Sequence, residues 1–211
     1  MEVYNLKSKK TLILFFALAM VATACSSAAV PCDEVEITTG ENGLPDLDGC
    51  EFTFAVENAY LPFNYIDAET GEAMGWDYDV FNYMGELMNF TPVYVPTAWD
   101  GMIQATADGQ FMIAGDGITI TAERDEIVDF SVGYINLAQR VLVAVGNTEI
   151  TSIEDLKSGD YIVATQKGTT NYDFAVNALG EDKVKAFDDF NFAIQAVISG
   201  DADACLLYTS P

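Results

Sequence analysis

Phe52-Thr53-Phe54-Ala55-Val56 is the stretch on which the reading of the fold turns. An apolar run of this length, with turn-forming residues beyond it, reads as a buried strand. Asp67 to Gly75, rich in Glu, Thr and Gly, reads as a turn region, and a helix is expected to start near Asp77. Val80, Phe81, Met84, Leu87 and Met88 then recur at helical spacing as a core face, and Val93-Tyr94-Val95 is the next strand. Strand, helix and strand in this order mark a parallel β-α-β unit. The alternation continues outward: a helix over Trp99–Ala107 ending at Gly109, a strand over Phe111–Ala114, and a short acidic helix capped by Thr121. Strands over Arg140–Val145, Tyr161–Thr165 and Val184–Phe187 are interleaved with helices over Thr169–Leu179 and Phe190–Ser199. The fold class is therefore α/β with mostly parallel sheets. No internal repeat or low-complexity tract interrupts it.

Half of the 211 residues are hydrophobic, so the chain can bury a core as one large or two small domains. The formal net charge is −24, with 33 acids against nine Lys and Arg. Nucleic acid is excluded as a partner on this balance. There is no histidine and the cysteines are scattered, so the usual zinc and histidine-based catalytic patterns are absent and neither a metal nor a cofactor is expected, with calcium on carboxylates the one alternative left open. Arg124 and Arg140 are the only arginines, which makes either one conspicuous as a partner for an anionic ligand.

The amino terminus reads as an export signal over residues 1–24. Lys7, Lys9 and Lys10 precede an apolar run from Leu12 to Ala22, too short to span a bilayer comfortably, that ends in small residues. Ala22-Thr23-Ala24-Cys25 resembles a bacterial lipobox, with Ala22 standing where Leu is usual. On that reading Cys25 carries a lipid that holds the protein at a membrane surface, and residues 25–49 form a polar tether. A plain cleaved signal is the other reading. Loss of residues 1–24 removes three of the nine basic residues and one of the 33 acids, leaving −26 on the mature part. Outside the cytoplasm Cys32 and Cys50 can pair, and two free thiols are the alternative.

Six motifs follow one another in a fixed order: Tyr60-Leu61-Pro62-Phe63, Gly75-Trp76-Asp77-Tyr78-Asp79, Trp99-Asp100-Gly101-Met102-Ile103, Gly117 to Arg124, Val128-Asp129-Phe130-Ser131 and Gly168-Thr169-Thr170. Together, over Phe52 to Ala204, they resemble the polar amino-acid family of bacterial extracellular solute-binding proteins, family 3. The resemblance implies a two-lobed, type II periplasmic-binding-protein fold. Its lobes are expected at 50–142 and 143–204, joined by crossing strands with a hinge near Leu142 to Val145. On this resemblance they are expected to close over an amino acid, and the loaded monomer is expected to dock on an ABC permease.

The residues themselves support such a site. Tyr60 follows the first strand at the carboxyl edge of a sheet, where open α/β folds bind ligands, and Trp99 can cover the other face of a small solute. Core packing is the other reading for both rings. Arg124 lies three residues after the cap Thr121, so its planar fork can reach back to Gly117-Ile118-Thr119 and meet a carboxylate; a surface ion pair with Glu123 or Asp125 is the alternative. The resemblance assigns Arg124 to the ligand's α-carboxylate, with Gly117 and Thr119 adding backbone and hydroxyl contacts. Gly168-Thr169-Thr170 opens a helix whose free amides bind an anion, placing Thr170 on the same carboxylate, with a simple helix cap as the alternative. Gln166 and Lys167 lie on the approach. Glu57 stands where the family reads the ligand's side chain, and Asp116 adds a second acid, so a basic amino acid or another amine-bearing ligand is expected.

The chain departs from the family at its end. The family places an Asp for the ligand's ammonium five residues after the position of Asp203, and Tyr208 stands there. Cys205-Leu206-Leu207-Tyr208-Thr209-Ser210-Pro211 looks like the translation of a transposase sequencing adapter, so residues 205–211 are expected to be non-native and the second lobe incomplete. Two other functions fit the same fold. A periplasmic cyclohexadienyl or arogenate dehydratase would use Glu57 or Asp116 as its acid, and a receptor would use the lobes as a sensor.

Overall fold

The structure is a computed structural model that describes residues 30–209, with side chains to Tyr208. The expected signal, Cys25 and residues 26–29 of the tether lie outside the described residues, as do Ser210 and Pro211. The first half of the chain lays down β1 (Thr38–Thr39), β2 (Pro45–Asp46), β3 (Cys50–Val56), β4 (Ala59–Tyr60), β5 (Asn64–Ile66), β6 (Ala73–Met74), α1 (Trp76–Met88), β7 (Phe90–Pro96), α2 (Met102–Ala107), β8 (Ile113–Ala114) and α3 (Ala122–Asp125). The second half continues with β9 (Ala138–Val143), α4 (Ile153–Ser158), β10 (Val163–Gln166), α5 (Thr170–Leu179), β11 (Val184–Phe187), α6 (Phe190–Ser199) and β12 (Ala204–Thr209).

Lobe one is built around β3, which runs parallel to β7 on one side and β8 on the other. Phe54, Ala55 and Val56 are wholly buried there. Phe81 of α1 stacks on Phe54 with ring centroids 4.1 Å apart, which seats the helix on the sheet. Cys32 and Cys50 are joined in a disulfide beside Leu47, Phe54 and Phe90.

The helix differs from the apolar stripe read from sequence. It begins at Trp76, after Gly75 in a positive-φ conformation, so its start is where expected and Asp77 is its second residue. Leu87 is exposed, whereas Asp77, Tyr78 and Gly85 are buried. Asp77 is inside because Asn64 meets it with a hydrogen bond. The turn region ends in β6, which joins β4 and β5 in a small antiparallel sheet. Helix α2 starts at Met102 and not at Trp99. The carbonyl of Trp99 accepts from Met102 N at 3.1 Å, leaving Trp99 in the preceding turn. Thr121 does cap α3, its hydroxyl accepting from Arg124 N at 3.2 Å.

Lobe two is a four-stranded sheet in the order β11-β10-β12-β9. β10 is parallel to β11 and β12, and β12 is antiparallel to β9 from Ala204↔Val143 to Thr209↔Ala138. β9 thus lies in the second sheet, on the far side of the division expected at residue 143. Val163 to Gln166 are all buried, as a parallel strand covered on both faces must be. One face packs on Phe190, Ala193 and Val197 of α6, the other on Leu156 of α4 and Ala175 of α5.

Candidate ligand-binding cleft

The carboxyl ends of β3 and β10 face each other, and the contact between them crosses from lobe to lobe. Gln166, the last residue of β10, donates Nε2 to Glu57 Oε1 at 2.6 Å and to Asp188 O at 3.1 Å. All nine residues expected at a site line one cleft: Glu57, Tyr60, Trp99, Asp116, Gly117, Thr119, Arg124, Gln166 and Thr170. Ile118, Thr169, Asn171, Phe190 and Tyr208 complete its wall. Asn171 and Phe190 were missed from sequence because both read as ordinary helix residues. Lys167 is exposed and does not line the cleft. The enclosed space is about 30 Å³, about two water positions, so a solute enters only when the lobes part or side chains swing aside.

Arg124 is held from behind. Its Nη1 donates to Thr119 O at 2.9 Å, and its guanidinium lies 5.1 Å from the Trp99 ring centre. Nη2 reaches Gly168 O at 3.4 Å, and Trp99 Nε1 donates to the same carbonyl at 3.1 Å. Both bonds cross between the lobes. No ion pair of Arg124 with Glu123 or Asp125 forms; among the described residues the ion pair present is Lys157 with Glu154. Burial lowers the Arg124 pKa, opposed by the nearby Tyr208, Asp173 and Glu123, and a guanidinium that starts so high stays charged.

Opposite Arg124 is the amino end of α5. Thr169 caps it, its hydroxyl accepting from Tyr172 N at 3.2 Å and donating to Gln166 O at 2.7 Å. Thr170 is then free of capping work, and its hydroxyl is buried without a partner. The Tyr60 hydroxyl is likewise buried and unpartnered, with its ring 5.1 Å from Phe63 and 5.9 Å from Phe190. Two orphaned hydroxyls facing one cleft are what a polar ligand would satisfy. Thr119 donates to the Tyr208 hydroxyl at 3.2 Å.

The acids of the cleft resist ionisation. Burial pushes Glu57 up to about 7, eased by the Gln166 bond and reinforced by Asp189. Asp116 is driven well above the carboxylate range by burial, with Glu57 and Asp77 adding repulsion. Gly117 sits between the two aromatic rings at φ 55°, and a Cβ there would lie 3.1 Å from both Tyr60 Cε1 and Phe63 Cδ2. Gly117→Ala is expected to lose roughly 1 kcal/mol from the left-handed backbone alone. That lowers the melting temperature by roughly 2–4 °C, read by circular dichroism.

Residues 52–204 match the model of the bacterial extracellular solute-binding proteins, family 3. The chain belongs to that family. Among the relatives of this family 3 chain, a probable histidine-binding protein of Neisseria gonorrhoeae is 31% identical over 74% of this chain and 58% of its own. Cyclohexadienyl dehydratase of Pseudomonas aeruginosa is 28% identical over 71% of this chain and 56% of its own. An ancestral arginine-binding protein bound to arginine superposes with a TM-score of 0.67 at 34% identity, over 75% of this chain and 70% of that one. The chain spans less than two thirds of the length of the two curated relatives. The family's two-lobed type II fold accounts for the two sheets with parallel strands, one built on β3 and one on β10.

Proposed function

We propose that this family 3 chain binds an amino acid between its two lobes by hinge closure and delivers it to an ABC permease, without chemical change. Arg124 carries the reading. It is anchored on lobe one at Thr119 O and aimed across the cleft at the amino end of α5, where the Thr170 hydroxyl has no partner. A fork on one lobe and free donors on the other suit one carboxylate, and a ligand held by both favours the closed state over the open one. Glu57 and Asp116 favour an amine-bearing or basic ligand, in keeping with the histidine- and arginine-binding relatives. Export and lipid attachment at Cys25 place the protein in the periplasm or on the outer cell surface, where a carrier works. We read residues 205–211 as foreign to the native chain. Tyr208 and Thr209 are strand formers and Leu206 and Leu207 are apolar enough to be buried in lobe two, which is enough for the segment to pair with β9.

The test is a thermal-shift screen of the amino acids and polyamines, on the chain as it stands and on the version continued from its genomic locus. A ligand at a hundred times its Kd adds about 2.7 kcal/mol, a rise of about 5–10 °C for a protein of this size. No shift with any amino acid in either version sinks the reading. Turnover of prephenate-like compounds would replace it with the dehydratase function that one relative carries.

A further inference from the structure

Behind the wall of lobe one that carries Tyr60 and Gly117 lies a side chain that does not itself line the cleft. Asn64 of β5 is fully buried. Its Oδ1 accepts from Asn58 N at 2.6 Å, and its Nδ2 donates at 2.8 Å to Asp77 Oδ2, at 2.8 Å to Asp116 Oδ1 and at 3.2 Å to Gly115 O. These partners fix the orientation of the amide. Turned over, it would set its oxygen against two carboxyls and its hydrogens against an N–H. Asn58 stands in the left-handed region at φ 63°, which Asn tolerates better than most residues, immediately before Ala59 and Tyr60 of β4. Its own Oδ1 accepts from the Tyr78 hydroxyl of α1 at 2.7 Å, so the turn is pinned twice. Gly115 and Asp116 run directly into Gly117, which lies against the Tyr60 and Phe63 rings. One amide thus ties the turn before Tyr60, the strip before Gly117 and the first turn of α1 into a single body.

No neighbour can take over this work. The titratable groups around the two aspartates are Glu57 after β3, Tyr60 on β4, Tyr78 on α1, Tyr94 on β7 and Tyr134 on the segment leading to β9. None is a cation, and among the described residues neither aspartate makes an ion pair. Asp77 is 1% exposed and Asp116 4% exposed, and Asn64 is the donor that each of their carboxyls has. Burial pushes Asp77 up to about 6 and Asp116 well above the usual range, and the bonds from Asn64 oppose both shifts. Losing that donor costs more than the net worth of the bonds, because the buried acceptors are left without a partner.

We propose that Asn64 is a positioning residue for ligand capture: without touching the ligand, its amide holds the Tyr60 turn and the strip from Gly115 to Gly117 in the one arrangement that fits an amino acid. A binding site keeps its geometry to roughly 0.5 Å only where a locked layer of packing and hydrogen bonds stands behind it. Without the amide, the free protein spreads over other placements of Tyr60 and Gly117. Affinity then falls by the fraction of molecules that keep the fitting one. The cluster lies wholly within lobe one, so it does not depend on residues 205–211. The role rests on the amino-acid reading above, and its test separates the two.

Asn64→Asp keeps the shape and the bond from Asn58 N but turns the donor into an oxygen facing two carboxyls. A proton on the new carboxyl remakes one donor bond, so the variant is defective when ionised and recovers when acidified. L-Arginine, L-lysine and L-glutamine are each titrated calorimetrically into wild type and variant at pH 7.5 and pH 5.5. Variant and wild type are compared at the same pH, so the titration of Glu57, common to both, cancels. The expected loss is about tenfold or more at pH 7.5, shrinking to about threefold or less at pH 5.5. The exchange Asn64→Asp with Asp77→Asn keeps the acid count of the wild type and a bond between positions 64 and 77, but leaves Gly115 and Asp116 without their donor. It serves where the single variant does not fold, and it should show the same loss and the same recovery in acid. Wild-type affinity at pH 7.5 in either variant overturns the proposal. So does a loss equal at both pH values, which a general weakening of the fold would give. Hydrogen–deuterium exchange at pH 7.5 needs no ligand. The amides of Asn58 and Gly115, bonded to Asn64 Oδ1 and Ala55 O in the wild type, should exchange about tenfold faster in whichever variant folds, while those of Val163–Gln166 in lobe two stay unchanged. A uniform change or none overturns the brace. If the wild type binds and the variants bind alike, the amino-acid reading stands and the role of Asn64 falls. If none of the three amino acids binds the wild type, both fall.

Discussion

Arg124→Ala is expected to weaken amino-acid binding by about 2 kcal/mol or more, roughly thirtyfold, with the fold retained. The size follows from what is left behind. A ligand carboxylate taken into a cleft this small leaves most of its water outside, and without the guanidinium it keeps only the amides of α5 and the Thr170 hydroxyl. Removing one partner of a charged pair costs more than the pair's net worth, because the other charge remains desolvated. The side chain also lies against Trp99 and donates to Thr119 O, so the variant loses some order in lobe one as well. Arg124→Lys separates the two effects. It keeps the charge but not the planar fork, so its affinity should fall between that of the wild type and that of the alanine variant. Isothermal titration with whichever amino acid raises the melting temperature decides the matter. A titration curve unchanged in Arg124→Ala would show that Arg124 does not hold the ligand, whatever else the cleft does.

The parts of this molecule that could be read beforehand are those written in neighbouring residues. Val184–Phe187 and Phe190–Ser199 form a strand and a helix with the expected bounds, because an apolar run and an amphipathic period are local signals. The cap Thr121 was legible for the same reason, meeting an amide three residues on, whereas the cap of α5 is Thr169 and not Thr170. The nine cleft residues converge because open α/β sheets gather their carboxyl-end loops at one place. What escaped was the polar interior. Asn64 meets Asp77 thirteen positions away and Asp116 fifty-two positions away, and no periodicity marks such a meeting. Asp77 looked like a helix start because an acid there ordinarily does that work in water. Its burial depends on a partner from another strand. The β4-β5-β6 sheet escaped for a simpler reason, since strands of two or three residues are too short for an alternating pattern to show.

The second large effect concerns stability and not binding. Replacing Cys32 and Cys50 together by alanine is expected to cost about 3 kcal/mol, the chain-entropy value for cross-linking residues at this separation. The bridge closes the segment that carries β1, β2 and Leu47 onto the start of β3, and both sulfurs are buried against Phe54 and Phe90. Packing around two lost sulfur atoms adds to the cost. The predicted fall in melting temperature is roughly 6–12 °C. Urea denaturation distinguishes the causes. If the bridge acts by restricting the unfolded chain, the variant exposes more surface on unfolding, so its m-value rises while its midpoint falls. If only packing is lost, the midpoint falls with m unchanged. Affinity should be nearly preserved in either case, because the bridge and its neighbours Leu47, Phe54 and Phe90 lie outside the cleft lining. A double variant that melts with the wild type would mean the two cysteines do not cross-link the native protein. The tether would then be held to lobe one by Leu47 and the backbone bonds to α1's carboxyl end, where Leu47 N and Gly49 N donate to Met88 O and Asn89 O.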